Sequence, residues 1–331
     1  MKKRNLIAII MSAAGVAFIT AAMVLVYVYG RGVESLDYMI SDFFLNNSSS
    51  IGSRIFGIIT YLGESIIYIA ILVVLYYVWD KKKAYRAIVA LVSTTVINAS
   101  TKAAFKLPRP DDTFGHTIEE TSYGLPSGHT QMSTAFWGVL GSFVVKWGML
   151  TVSIILPLVI AFSRIYLVVH WFTDVLMGFG IGLIILATFL VVLKPIESYF
   201  ENKSSATKVL WSIVTGIIFA TPIVLLNLFP ALELESMIDN LRYIAVFTTA
   251  SISYAIEGKV VGFDNKMDKW WKGILRVLIA VVVLAGVFLY GMFFDPEPAT
   301  TLKMVLDLVI YALLGPVLIL LLPWIIKKLN L

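Results

Sequence analysis

Ten long apolar blocks, at 6–28, 55–78, 84–105, 132–145, 149–168, 171–193, 209–229, 241–256, 274–294 and 302–326, leave the chain little choice of fold. Most reach the length of about 20 residues that a helix needs to cross a hydrocarbon layer of about 30 Å. The blocks are continuously apolar, whereas a membrane-barrel strand alternates its two faces over about 10 residues, so strands are excluded. Helices satisfy their own backbone groups in lipid. The expectation is an all-α polytopic membrane helix bundle of about ten transmembrane helices. A composition of 59% hydrophobic and 14% charged residues excludes both disorder and an ordinary soluble globule. The first block follows Lys2, Lys3 and Arg4 and outruns the apolar run of a signal peptide, so it reads as an anchor.

Charge sets the expected orientation, because short cytoplasmic loops collect Lys and Arg. With both termini cytoplasmic, 18 of the 26 cations fall on the inner side and 8 outside, while the carboxylates divide 6 inside to 15 outside. This lopsidedness accounts for the net charge of +5 as a membrane-face effect. No basic groove with interleaved aromatics is left over for nucleic acid, and no nucleic-acid partner is expected. The chain has no cysteine, which excludes disulfides and thiol chemistry, and only three histidines, His116, His129 and His170. That leaves little material for a histidine-ligated metal centre, although carboxylate sites stay possible; no cofactor is expected.

Most polar points have ordinary explanations. The outer stretch 31–54 can carry a short interfacial segment, with Phe43, Phe44 and Leu45 at a surface. Trp270 and Trp271 suit an aromatic interface belt on an inner loop. Gly178, Gly180 and Gly182 suit close helix packing better than nucleotide binding, since no strand precedes them. Glu64 lies inside the second block, facing either a helix neighbour or the outer cavity, and His116 sits in a polar loop.

Three strings are harder to dismiss. The first, Lys102 to Pro110, brings Lys102, Lys106 and Arg109 to the outer face, where positive charge is least expected. Snorkelling would explain them singly, and a bound anion would explain them together. The second, Gly124 to Thr130, looks like a helix start: Ser127 can cap, Gly128 lets backbone approach a ligand, and free amides favour a phosphate oxygen. A plain cap with a snorkelling His129 is the alternative. In the third, Ser163 to Asp174, His170 and Asp174 stand four apart at a helix start. The carboxylate can then hold one imidazole nitrogen protonated and leave the other free to attack, although Asp174 could merely neutralise Arg164 or His170.

The order and spacing of these strings resemble the signature of the type 2 phosphatidic acid phosphatase family, whose active-site fold is shared with vanadium haloperoxidases. All three motifs match at their defining positions. The resemblance implies a six-helix phosphatase core over 1–200 and a C-terminal membrane region of about four helices, 201–331, whose role it leaves open. It also implies roles: His170 as nucleophile, Asp174 orienting it, and His129 as proton donor to the leaving group. Lys102, Arg109, Ser127, Gly128 and Arg164 would hold the phosphoryl oxygens. The implied activity is metal-independent hydrolysis of a lipid phosphate or diphosphate through a phosphohistidine. The site would lie at the extracytoplasmic face of an integral protein of the cell membrane, with the bilayer and a lipid phosphate as partners and a homodimer compatible with the chain. A lipid phosphotransferase, or a lipid transporter or scramblase using the same polar cavity, are the alternatives.

Overall fold

The computed structural model describes residues 3–110, 122–144, 147–228, 234–294 and 301–331; His116 lies outside them. Among the described residues the chain is all-helical. The helices are α1 (Lys3–Tyr29), α2 (Leu36–Asn47), α3 (Ser50–Tyr61), α4 (Ser65–Val74), α5 (Lys81–Phe105), α6 (Gly128–Phe143) and α7 (Trp147–Tyr166). They continue with α8 (Phe172–Glu201), α9 (Ser205–Leu228), α10 (Leu234–Val260), α11 (Trp270–Phe294), α12 (Thr301–Pro316) and α13 (Leu322–Lys328). A π-helical turn, Leu75–Trp79, extends α4, and another, Val317–Leu321, joins α12 to α13.

Every one of the ten apolar blocks falls on helix, but they are not ten equal spans. Among the described residues, seven helices are long and apolar enough to cross a membrane, and α3 with α4 forms an eighth candidate bent by 47°. The other two blocks lie on α6 and α10. α6 has only 16 residues and buries Thr130, Gln131, Ser133 and Thr134, while α10 is interrupted by Arg242, a run of Thr and Ser, and Glu257. The multiple apolar spans make this an integral membrane protein.

The second block departs most from the expected continuous span. It breaks at residues 62–64, where Leu62, Gly63 and Glu64 donate their amides to Ile59, Thr60 and Tyr61. Glu64 therefore stands at a bend instead of inside a helix. The stretch 31–54 also holds more structure than a surface segment. Ser35 and Ser49 cap α2 and α3 with their side chains, and Phe44 packs on Phe162 and Tyr166 with ring centroids 5.7 and 5.4 Å apart.

The chain divides into two compact units, 1–68 with 93–197, and 69–92 with 198–331. In the first, α8 is the most buried of the candidate spans, and its glycines let neighbours approach closely. Gly178 and Gly182 share one helix face, four residues apart, and Gly180 looks the other way. A Cβ at Gly178 would meet the Ser127 carbonyl at 2.6 Å, and one at Gly182 the Thr134 Cβ at 2.7 Å; one at Gly180 would meet the Gly15 carbonyl of α1 at 2.7 Å. These glycines serve helix packing, as close contacts of small residues do in membranes.

Polar side chains line the inside of this unit while large apolar ones such as Ile9, Ile10, Ile154 and Ile155 face outward. Buried Gln131 donates to the Thr94 carbonyl (2.9 Å) and hydroxyl (3.0 Å) and accepts from Asn98 (2.9 Å), tying α6 to α5 just below the second string. Such interhelical bonds are worth about 0.6 kcal/mol each, so their main effect here is to fix register.

The second unit has its own buried charges. Glu257 pairs with Lys81 at 2.6 Å and accepts from the Phe263 amide. Arg276 donates to the Tyr77, Lys266 and Leu331 carbonyls, which orders the inner loop beyond a plain aromatic belt. Arg242 and Asp307 pair between α10 and α12, with the Tyr290 hydroxyl 3.4 Å from the same carboxylate.

Candidate active site

All eight residues picked out by the three strings belong to the first unit, on neighbouring ends of α5, α6, α7 and α8. α5 stops at Phe105, before either proline; Lys106 takes a left-handed φ of 49°, and the chain leaves the helix there. Lys102 stays in the last turn and Arg109 lies in the link beyond. The two cations converge on Ser122, whose hydroxyl accepts from Lys102 Nζ at 2.8 Å and from Arg109 Nη2 at 3.0 Å. Arg109 Nε donates to the Ser122 carbonyl at 2.6 Å.

Ser127 occupies the N-cap position of α6, but its side chain does not cap. Its hydroxyl accepts from Thr130 Oγ1 at 3.1 Å instead, and its amide donates to the Asp174 carbonyl at 2.9 Å. Gly128 follows with no side chain; a Cβ there would press on Asn98 Oδ1 at 3.3 Å. His129 Nε2 lies 3.1 Å from Glu64 Oε1. The bend at 62–64 makes that contact, since a Cβ on Gly63 would collide with the His129 ring at 2.7 Å.

Arg164, buried in the last turn of α7, donates to Thr60 Oγ1 at 2.8 Å. The link to α8 turns through Val168, a β-branched residue held at φ 53° and buried. Such a conformation costs of order 1–3 kcal/mol and persists only where its surroundings impose it. It delivers His170 into the interior.

His170 is buried and bonded at both ring nitrogens. Nδ1 lies 3.2 Å from Asp174 Oδ2, which also accepts from the Trp171 amide at 3.1 Å. Nε2 lies 3.0 Å from Arg109 Nη1. A guanidinium can only donate, so Nε2 is the acceptor and carries the lone pair, while Nδ1 carries the proton and gives it to the carboxylate. Burial holds the His170 pKa well below the ordinary histidine value, and the charges of Arg109, Arg164, Lys102 and His129 push it further down. The ring is neutral at pH 7, with its free lone pair aimed at cations.

Sequence reasoning missed three members of this site. Arg31, in the link from α1 to α2, donates to Asp174 Oδ1 at 2.5 Å and to Thr173 Oγ1 at 3.1 Å. Asp37 accepts from the Thr173 amide at 2.9 Å and its hydroxyl at 2.6 Å; burial raises the Asp37 pKa although these bonds and Arg31 oppose it. Ser122 is the third. The expected outer-side location of Arg31 was the only signal available for it. Among the described residues, no three His, Asp or Glu side chains converge as metal ligands.

The fold and site define an integral-membrane helical protein with a buried His–Asp pair beside clustered cations at helix ends. The PAP2 superfamily model matches residues 83–197, and the model for the PAP2 superfamily phosphatase transmembrane extension matches 241–331. The chain thus carries a PAP2 superfamily domain followed by that superfamily's transmembrane extension. It is 30% identical over 99 residues to phosphatidylglycerophosphatase B of Bacillus subtilis (strain 168), a match that takes in 27% of this chain and 48% of that one. It is 27% identical over 110 residues to lipid phosphate phosphatase delta of Arabidopsis thaliana, covering 30% of this chain and 26% of the relative. The chain therefore spans about half the length of the first relative and about a quarter of the second. A crystal structure of a transmembrane PAP2 type phosphatidylglycerolphosphate phosphatase from Bacillus subtilis aligns with a TM-score of 0.45 and 21% identity, over 55% of this chain and 96% of that one.

Proposed function

We propose that this protein is a membrane phosphatase that hydrolyses a lipid monophosphate or diphosphate through a phosphohistidine on His170. The observation that carries the reading is the setting of that ring: Nδ1 lies 3.2 Å from Asp174 Oδ2 and Nε2 3.0 Å from Arg109 Nη1, so Nδ1–H donates to the carboxylate and Nε2 keeps its lone pair. The names of the two relatives support the substrate class.

The Ser122 hydroxyl oxygen, held by Lys102 and Arg109 together, marks where an anionic oxygen would be most at home. A phosphoryl group placed there presents phosphorus to Nε2. The N–P bond forms as the P–O bond to the leaving group breaks, and His129 gives its proton to the departing oxygen. In the second step His129 takes a proton from water, which attacks phosphorus, breaks the N–P bond and releases phosphate. Charge on the transferring group lies on its equatorial oxygens, which Lys102, Arg109, Arg164 and the amides of the Ser127–Gly128 turn can stabilise. Three fixed cations are enough for this without a metal ion. By the distribution of Lys and Arg, the reaction takes place on the extracytoplasmic side.

The test is a panel of lipid monophosphates and diphosphates offered to the purified protein and to His170→Ala in detergent. The expected result is phosphate release by wild type, none above background by the variant, competition by vanadate and full activity in excess chelator. Turnover unaffected by His170→Ala would overturn the phosphohistidine, and turnover abolished by chelator would overturn metal independence.

A further inference from the structure

Arg31 stands outside every motif that identifies the site, yet it holds the half of Asp174 that His170 does not. Asp174 is fully buried, so each carboxylate oxygen needs a partner from the protein. Oδ2 is occupied by His170 Nδ1 and the Trp171 amide. Oδ1 is met by Arg31 Nη2 at 2.5 Å. The other arm of the fork, Nη1, donates to the Pro108 carbonyl at 2.9 Å, next to Arg109, and the guanidinium lies 5.7 Å from the Trp171 ring centre. A lysine could not make the two-armed contact, because it presents a single charged nitrogen.

Arg31 is itself anchored. Its Nε lies 3.4 Å from Asp37 Oδ2, and Asp37 is fastened to the start of α8 through the Thr173 amide and hydroxyl. A carboxylate at that place suits the partial positive charge of the helix N-terminus. The chain of contacts runs Asp37, Arg31, Asp174, His170, and all but the last pair is invisible to motif spacing.

We propose that Arg31 is a positioning residue: by pairing with Asp174 Oδ1 it fixes the plane and charge of that carboxylate, and so keeps His170 Nδ1 protonated and Nε2 available for phosphorus. This rests on the phosphatase reading above. Without Arg31, Asp174 has an unpaired buried oxygen; removing one partner of a buried charge pair is strongly unfavourable, and the carboxylate must turn or take up a proton. Either change withdraws the acceptor from Nδ1. Arg31 makes none of the contacts to Lys102, Arg164 or Ser122 that would bind phosphate, so substrate affinity should be spared.

The experiment compares wild type, Arg31→Gln, Arg31→Lys, Asp174→Asn and the double variant Arg31→Gln/Asp174→Asn, with phosphate release from phosphatidate in detergent micelles as the assay. Arg31→Gln is expected to lower kcat by about 10- to 100-fold, the usual loss when a supporting partner is removed, with KM changed less than about twofold. Arg31→Lys should recover part of kcat. In the Asp174→Asn background the same Arg31 change should cost almost nothing, because the residue acts through that carboxylate. Wild-type kcat in Arg31→Gln, or a full additional loss in the double variant, would overturn the proposal. The 15N spectrum of histidine-labelled protein gives a second readout that needs no turnover. Loss of the protonated Nδ1 signal of His170 in Arg31→Gln supports the proposal, and an unchanged signal overturns it even if wild type hydrolyses no lipid phosphate, the result that would sink the phosphatase reading instead.

Discussion

His170 shows how burial changes an ordinary imidazole. Its folded-state pKa is depressed, first by loss of water and then by four neighbouring cationic or titratable groups, so it stays neutral below the usual histidine range. The sign follows. An unfolded histidine binds a proton near pH 6.5 while the folded one does not, so the stability this group contributes is complete above that pH and is lost as pH falls toward the folded value. In 15N-labelled protein, the His170 Nε2 signal should remain that of an unprotonated nitrogen well below pH 6.5, while an ordinary exposed histidine would already be charged. A midpoint at or above 6.5 would contradict the burial argument. Asp174→Asn removes the acceptor that sets the tautomer; kcat should fall by on the order of 10⁴, as orienting carboxylates do in triads. Most of the residues in contact here were legible from spacing, because Lys102, Arg109, His129, Arg164, His170 and Asp174 stand at fixed intervals on helix ends. Arg31, Asp37 and Ser122 were not, since their contacts join positions up to 143 residues apart in sequence and no period connects them.

Among the elements, α8 combines packing with chemistry. Its glycine face meets the backbone of Ser127, so Gly178→Ala forces a Cβ to within 2.6 Å of that carbonyl, which cannot yield as a flexible side chain would. Over-packing of this kind costs about 1–3 kcal/mol. Gly178→Ala should therefore lower both the melting temperature in detergent and phosphate release, whereas Gly180→Ala, pressed against α1 instead, should lower the melting temperature and affect release less. The helical identity of each block was readable from apolar runs alone. The bend at 62–64 was not, because Leu62-Gly63-Glu64 interrupts a hydrophobic run with one small and one charged residue, a pattern that a continuous membrane helix also tolerates. At the bend the packing is tertiary: the His129 ring lies 2.7 Å from where a Cβ on Gly63 would be. α6 is set apart by its length of 16 residues, and its buried Thr, Gln and Ser side chains find partners inside the protein.

For the molecule as a whole, many large apolar side chains are exposed, as a lipid-facing surface allows, while apolar and polar side chains share the interior. Orientation can be checked with unusual clarity, because the chain contains no cysteine. In intact cells, Val33→Cys should react with a membrane-impermeant maleimide and Lys203→Cys should react only after permeabilisation; the reverse pattern would invert the proposed topology. The Arg242–Asp307 pair makes a separate claim about the C-terminal unit. Replacing Arg242 with Met should destabilise that unit by about 3–5 kcal/mol by stranding a buried carboxylate, read as a lower melting temperature. A chain whose melting temperature is unmoved would show that Tyr290 and water suffice. The amino-acid pattern identified this unit as membrane helices and nothing finer, since its polar contacts lack any spacing signature.

The main-chain bond from Ser127 to the Asp174 carbonyl ties the turn that opens α6 to the acid-bearing helix at their common root. Neither can drift without dragging the other, so thermal motion moves the starts of α6 and α8 together and preserves their alignment. A compound that wedges α6 away from α8 would consequently inhibit without entering the phosphate site, by spoiling two functions through a single displacement.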